Sequence, residues 1–478
     1  MTKKIKKLSD IKLPIYKQVA EDLKKNIKNN NFFPDMRLPS ISRLKKHYGV
    51  SKTSVINALE YLKSESIIYA KPSSGCFIAE EAWRFIRKDS PNWNKYIKKS
   101  WQNISRESWL LSIKSHNNYS TIKLNVPSVN KELGSHIPII AAMKDAINVV
   151  KKTDLIGNFH PQGPVSVRET IAEHLKRFKI KTTATQIILT PGMFYSINII
   201  ISALMGCGAT LFCEKPSFLL AMTHITSIGI NVIGLKMDDE GMSLKELLSN
   251  IHAAKSPVVC INPTCHYLTG ITMSQKRRED ILDLCKQSKI PIIELDYFSD
   301  LYPETVSFKS MDNSDMVIYI GTISYNLSTG IMTSWIVVPE YLKARLVDIA
   351  SQKEMFQNNL DHIVTDQLLS KGYYYDYLKR SVPLFHKHFR LTDKLLDKYI
   401  GDIATWDKDI RANCFFIQFN NAIDTRLLLK KADGLLFSLV SIYDPEDTTH
   451  IIIRPLSLTP EQLEKGIKML SDLARSIC

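Results

Sequence analysis

From about residue 120 to the C-terminus, short apolar runs alternate with segments whose apolar residues recur every three to four positions. The runs Gln186–Thr190, Thr210–Cys213, Asn231–Leu235, Val258–Asn262, Ile290–Leu295 and Met316–Ile320 are candidate strands. They are near-continuous in apolar residues, the pattern of strands buried on both faces. Helical patterns such as Ser166–Phe178 and Gln275–Gln287 lie between them. Parallel strands need crossovers long enough to hold a helix, so this alternation predicts a mostly parallel α/β sheet with both faces covered. A stretch of roughly 350 residues is long enough to bury a large core.

The whole chain has 478 residues, which calls for two to four domains. Its net charge is +15, and residues 1–80 alone carry sixteen Lys and Arg against seven Asp and Glu. A basic excess packed into the first sixth of the chain is either a solvated face or a small domain that neutralises phosphates. No apolar run reaches the roughly 18 residues a membrane span needs. The start, MTKKIKKLSD, lacks the apolar segment of a secretory signal. The eight cysteines are scattered with no C-x-x-C, a usage that reads as reduced thiols in the cytoplasm, with neither a zinc site nor a disulfide framework.

The first 79 residues read as a unit. Ile15, Val19, Leu23 and Ile27 recur every four residues after Leu13-Pro14, and Pro34-Asp35 breaks the pattern. Ser40 is placed to cap a second helix, which Gly49 ends, and Ser51 to cap a third, Lys52–Ser64, with Val55, Leu59 and Leu62 inward. Two apolar runs, Ile67–Tyr69 and Cys76–Ile78, flank Lys71-Pro72-Ser73-Ser74-Gly75 as a hairpin. Helix-turn-helix plus hairpin is a winged helix, whose recognition helix presents its N-terminal residues to base edges. Those are Lys52, Thr53 and Ser54, with Asn57 one turn on. Arg37 and Gly75 are placed to approach the DNA backbone or minor groove.

The motifs Pro14-Ile15-Tyr16, Arg37-Leu38-Pro39-Ser40, Gly49–Val55 and Ser74–Ile78 resemble, in order, the winged helix of GntR-type bacterial regulators. The resemblance implies a DNA interface of Arg37, Ser40, Arg43, Ser51, Lys52, Thr53, Ser54, Asn57 and Gly75. One departure is Ser42, where the family usually has an arginine; Arg43 follows it. Residues 80–120 read as a partly helical linker with four of the six tryptophans, Trp83, Trp93, Trp101 and Trp109.

Beyond the linker, the chain resembles a fold-type I aminotransferase in the arrangement of MocR-type regulators. The matching segments are Gly157-Asn158-Phe159 to Gly163-Pro164, Ile187–Gly192, Glu214–Phe218, Asn262-Pro263 to Leu268-Thr269-Gly270, Glu294–Tyr297, Gly321–Tyr325 and Ile451–Leu456. The resemblance implies a large domain over 121–360, a smaller C-terminal α/β subdomain over 361–478, and pyridoxal phosphate as cofactor.

That cofactor needs an amine for its Schiff base, an acid at the ring nitrogen and cations at its phosphate. Tyr325 stands at the lysine position, Leu295 at the first aspartate of the family's E-D-D-Y element, and Met332 at the phosphate arginine. A phenol forms no imine. The remnant pocket is then Gly192, Met193, Phe218, Asp296, Tyr297, Ser324, Tyr325 and Arg454. Alternating strand geometry turns Asp296 away unless a bulge intervenes. Arg454 either grips a carboxylate or pairs with a buried one, and His266 reads as structural.

The resulting expectation is a cytoplasmic transcription regulator with no catalytic residues, no metal and no covalent cofactor. It would be a homodimer binding double-stranded operator DNA, with a small carboxylate or amino acid as effector. The alternatives are a pyridoxal-phosphate aminotransferase fused to a DNA-binding head, and a constitutive dimer without an effector.

Overall fold

A computed structural model describes residues 13–28, 36–71, 75–79, 121–153, 160–328, 330–353, 359–408, 414–420 and 423–477. The chain divides into two compact units, residues 1–97 and 98–478. The expected linker 80–120 with its tryptophans, the breaker Pro34-Asp35, the loop Gly157-Asn158-Phe159 and the hairpin tip Pro72–Ser74 lie outside the described residues.

The first unit is a winged helix. Helix Ile15–Lys28 buries Val19, Leu23 and Ile27 and leaves Ile15, in its first turn, in solvent. Ser40 accepts from the Arg43 amide to cap Ile41–Tyr48. Gly49, at φ +66°, ends that helix by donating to the Lys45 carbonyl, a left-handed turn that glycine adopts without a Cβ penalty. Ser51 accepts from the Ser54 amide at 3.0 Å and caps Lys52–Ser64, whose Val55, Ala58, Leu59 and Leu62 close the core. Strand Ile68–Lys71 pairs antiparallel with Gly75–Ile78. Residues 36–38 add a third edge: Arg37 bridges to Phe77, and the Leu38 amide donates to the Cys76 carbonyl.

The second unit is built on an eight-stranded sheet. In spatial order its strands are Ile187–Thr190, Ser334–Val337, Val317–Thr322, Ile292–Asp296, Pro257–Ile261, Thr210–Lys215, Asn231–Asp238 and Gly241–Met242. All six predicted strands are present with ends displaced by at most a few residues. Ser334–Val337 is unforeseen. It runs antiparallel to both neighbours, inserted between Ile187–Thr190 and Val317–Thr322. The remaining long strands are parallel. Side chains alternate between two cores: Ile188, Ile318 and Ile320 face one, and Ile187, Leu189, Tyr319 and Trp335 the other. The predicted helices appear as Val165–Leu175 with a 3-10 turn to Phe178, and as Gln275–Gln287.

A four-stranded antiparallel sheet, ordered Ala404–Trp406, Phe415–Phe419, His450–Ile453, Ser438–Leu439, forms the C-terminal part. The division expected at residue 360 is displaced at both ends. Ile122–Lys123 pairs with Leu435–Leu436, and Leu124 lies in the C-terminal core. Helix Asn359–Ser370 buries Ile363, Val364 and Leu368 in the core of the large sheet. Helix Tyr373–Ile400 serves both cores, the large one through Tyr374, Tyr377 and Phe385 and the small one through Leu395, Leu396 and Ile400. A 28-residue helix spans about 42 Å, long enough to hold the two parts together. Among the described residues no helix is long and apolar enough to cross a membrane.

Candidate functional site

On the winged helix, Arg37, Ser40, Arg43, Ser51, Lys52, Thr53, Asn57 and Gly75 are exposed, and Ser54 is half-buried. The hydroxyls of Ser40 and Ser51 act as helix caps, and Ser54 Oγ lies 2.8 Å from Ser51 Oγ. Lys52, Thr53 and Asn57 therefore keep side chains free of the cap. A Cβ on Gly75 would stand 3.1 Å from Arg37 Nε, so glycine makes room for the arginine to cross the hairpin. A further feature escaped the sequence reading. Tyr69 and Phe77 stack at 5.8 Å, with Lys71 Nζ 4.8 Å from the Phe77 ring centroid. Strand alternation puts Tyr69 and Lys71 on one face, a signal present in the sequence.

In the second unit, the loops after the parallel strands converge with the end of a C-terminal strand, the place where open α/β sheets bind ligands. Gly192 (φ +127°) starts helix Met193–Leu204, and Met193 is buried. Phe218 follows strand Thr210–Lys215, Tyr267 lies in the loop after Pro257–Ile261, Tyr297 directly follows Ile292–Asp296, and Tyr325 sits in the short helix after Val317–Thr322. Their rings form one cluster. The centroid distances are 4.9 Å for Tyr267–Tyr297, 5.1 Å for Tyr297–Tyr325 and 5.4 Å for Tyr267–Tyr325. Phe218 packs edge-on to Tyr267 and Tyr297. Burial raises the pKa of all three tyrosines, so their hydroxyls stay protonated.

Arg454 enters from the C-terminal sheet at 4% exposure. Its guanidinium lies 4.3 Å over the Tyr267 ring, and Nη2 donates to the Tyr267 carbonyl at 2.9 Å. Arg454 Nη1 and the Tyr297 hydroxyl are buried without a hydrogen-bond partner. The alternative that Arg454 pairs with a buried carboxylate finds no such partner among the described residues. Leu295 belongs to the same core as the ring cluster. A Cβ on Gly192 would stand 3.0 Å from the Met332 methyl, which brings an apolar group against the start of the helix.

Two pocket candidates face elsewhere. Asp296 accepts from the Tyr319 hydroxyl at 2.6 Å and from the Phe298 and Ser299 amides. Tyr319 belongs to the opposite core, and the strand register is regular with no bulge to turn the carboxylate back. Ser324 donates to the Ile331 carbonyl at 2.6 Å, and its amide donates to Thr322 Oγ1, so its donors are engaged within its own turn. His266 is buried, its pKa drawn down to about 3 by desolvation, with Nδ1 against Thr269; it holds the turn. The sequence places Asn262 and Tyr267 within a matched segment but assigns neither of them to the pocket. Asn262 Oδ1 accepts from the Tyr267 amide at 2.7 Å, and Nδ2 donates to the Leu295 carbonyl. The recurrence of an aromatic just past successive strand ends was the available signal. No group of three or more His, Cys, Asp or Glu that could hold a metal ion occurs among the described residues.

Residues 15–78 match the family of bacterial regulatory proteins, gntR family, and residues 121–435 match aminotransferase class I and II. The chain is 29% identical over 477 residues to an uncharacterized HTH-type transcriptional regulator, YdfD, of Bacillus subtilis, with 98% of this chain and 97% of that one aligned. It is 23% identical over 399 residues to the HTH-type transcriptional regulator NorG of Staphylococcus aureus, covering 82% and 88%. Among solved structures it is similar to an archaeal alanine:glyoxylate aminotransferase at a TM-score of 0.73 and 20% identity, covering 81% of this chain and all of that one. A kynurenine aminotransferase of Pyrococcus horikoshii has a TM-score of 0.72 at 19% identity, covering 80% and 98%.

Proposed function

The chain belongs to the class I and II aminotransferase family and carries the DNA-binding domain of GntR-type regulators, and from that premise we propose a transcription regulator whose aminotransferase-like unit dimerises and senses an effector without catalysing transamination. It is a DNA-binding regulator with an aminotransferase-like domain, the architecture of MocR-type proteins.

The observation that carries the rest is the mutual packing of Tyr267, Tyr297 and Tyr325 at 4.9–5.4 Å. A flat ring inserted between two others needs about 7 Å between their centroids, twice the van der Waals separation. Pyridoxal phosphate does not fit these residues on this reading. Tyr325 offers no amine, and the core that holds the ring cluster contains no lysine among the described residues. Leu295 offers no acid, and the Met332 methyl packs where a phosphate would need a cation.

The orphaned Arg454 Nη1 and Tyr297 hydroxyl support an effector role. A buried donor without an acceptor costs about 1–3 kcal/mol, more when charged. A small carboxylate or amino acid satisfying both donors in one of two conformations would shift the equilibrium between them. Dimerisation is supported by helix His136–Lys152, which buries Ala142 and Ala146 on one face and exposes Ile137, Ile140, Met143 and Ile147 on the other. A symmetric dimer would present two heads to a repeated or palindromic site in the cytoplasm.

Isothermal titration with amino acids and with pyridoxal phosphate tests this reading. Heat from an amino acid, colourless protein and no borohydride-modified lysine are the expected results. A yellow protein with an aldimine-like band would leave the fused aminotransferase standing instead.

A further inference from the structure

Helix Tyr373–Ile400 carries six Lys and Arg against three Asp. Lys387, Arg390 and Lys394 follow at spacings of three and four, so they share one face. All three are exposed. Asp393 accepts from Trp406 and Asp397 pairs with Lys408, so two of the helix's carboxylates are engaged elsewhere. Among the described residues, none of the three cations lies within ion-pair distance of a carboxylate. They line a groove of about 490 Å³ whose one lining carboxylate is Glu132.

Three unpaired cations in one concavity repel one another, and charge complementarity selects a polyanion as occupant. From Lys387 to Lys394 the helix rises about 10.5 Å, close to the axial advance of three nucleotides along one DNA strand. We propose that this groove binds the phosphate backbone of duplex DNA flanking the site read by the winged helix, making the aminotransferase-like unit a second DNA-contacting surface. The contact carries no base readout; it adds affinity and salt dependence. The proposal rests on the regulator reading above, because the DNA must already be held by the head.

The test uses the full-length protein and a random-sequence duplex of about 60 base pairs, titrated between roughly 50 and 200 mM salt. Each phosphate contact contributes about 0.9 to the slope of log affinity against log salt. The triple variant Lys387→Ala, Arg390→Ala, Lys394→Ala is expected to lower that slope by about 2–3. The charge-keeping triple Lys387→Arg, Arg390→Lys, Lys394→Arg is expected to retain it. An unchanged slope in the alanine triple, alongside a reduced one in Lys52→Ala, overturns the groove contact and leaves the regulator intact. A wild-type protein that binds no DNA removes both readings. A slope lost in the charge-keeping variant as well means a fold defect, and the contact fails.

Discussion

The Arg454 guanidinium stacks 4.3 Å over the Tyr267 ring and donates to the carbonyl of the same residue at 2.9 Å. One tyrosine thus holds the arginine by its face and its backbone, while Nη1 is left without a partner. A stacked cation of this kind contributes about 0.5–2 kcal/mol, whereas an incompletely paired buried charge costs free energy. The two nearly offset. Arg454→Leu is expected to change the unfolding free energy by less than about 2 kcal/mol while abolishing any response to a carboxylate effector. A loss beyond about 4 kcal/mol by urea denaturation would mean that the arginine has a strong partner.

Tyr325→Lys places an amine at the position a cofactor lysine would hold. The new side chain is desolvated and lies near Arg454, whose charge already acts on Tyr325. Its charged form is disfavoured in the fold, so the variant is expected to lose about 2–5 kcal/mol near neutral pH. Stability should recover as pH rises toward about 10, because the unfolded chain binds more protons. Adding pyridoxal phosphate should produce no aldimine band. A stable yellow variant would show that the seat is intact.

Asp300 carries a carboxyl that burial pushes up to about 7, against a lowering hydrogen bond from Tyr374. His174 lies 3.7 Å away and is itself drawn down to about 3 by burial, so both groups are neutral near pH 6. The folded state therefore holds a proton that the unfolded state releases near 3.9. The stabilising contribution is complete below that value and is lost as pH rises through about 7. Relative to Asp300→Asn, the wild-type protein is expected to lose about 1–3 kcal/mol between pH 5 and 8, measured by urea unfolding at each pH. A constant difference would place the titration elsewhere.

Neighbouring residues on the recognition helix separate folding from DNA recognition. Ser51→Ala removes the acceptor for the Ser54 amide and is expected to cost the winged helix about 1 kcal/mol. Lys52→Ala, exposed and one residue on, should leave thermal unfolding unchanged. It should weaken operator binding by about 1–3 kcal/mol if the lysine reads a base, or lower the salt slope by about one if it meets phosphate. If neither quantity moves, Lys52 is outside the interface.

The winged helix was legible because its signals are local. Ser40 and Ser51 accept from amides three residues on, and Gly49 donates to a carbonyl four residues back, and a short peptide pattern encodes such contacts. The parallel strands were legible for the same reason. The edge formed by residues 36–38 was not, since its partner Phe77 is forty residues away. Ser334–Val337 carries no helical crossover to announce it, and the site it fills in the sheet is set by strands on either side.

The site divides along the same line. The sequence by itself determined that Tyr325, Leu295 and Met332 stand in motifs where an amine, an acid and a cation would be needed, because composition at a motif position is a property of the chain. Alternation along the strand already turned Asp296 away; only the tertiary structure decided that its partner there is Tyr319, that Tyr267 joins two other tyrosines ring against ring, and that Arg454 is left with a free donor. Strand alternation and the packing of loops from separate strand ends set those relations. They exist only once elements distant in sequence are brought together around one core.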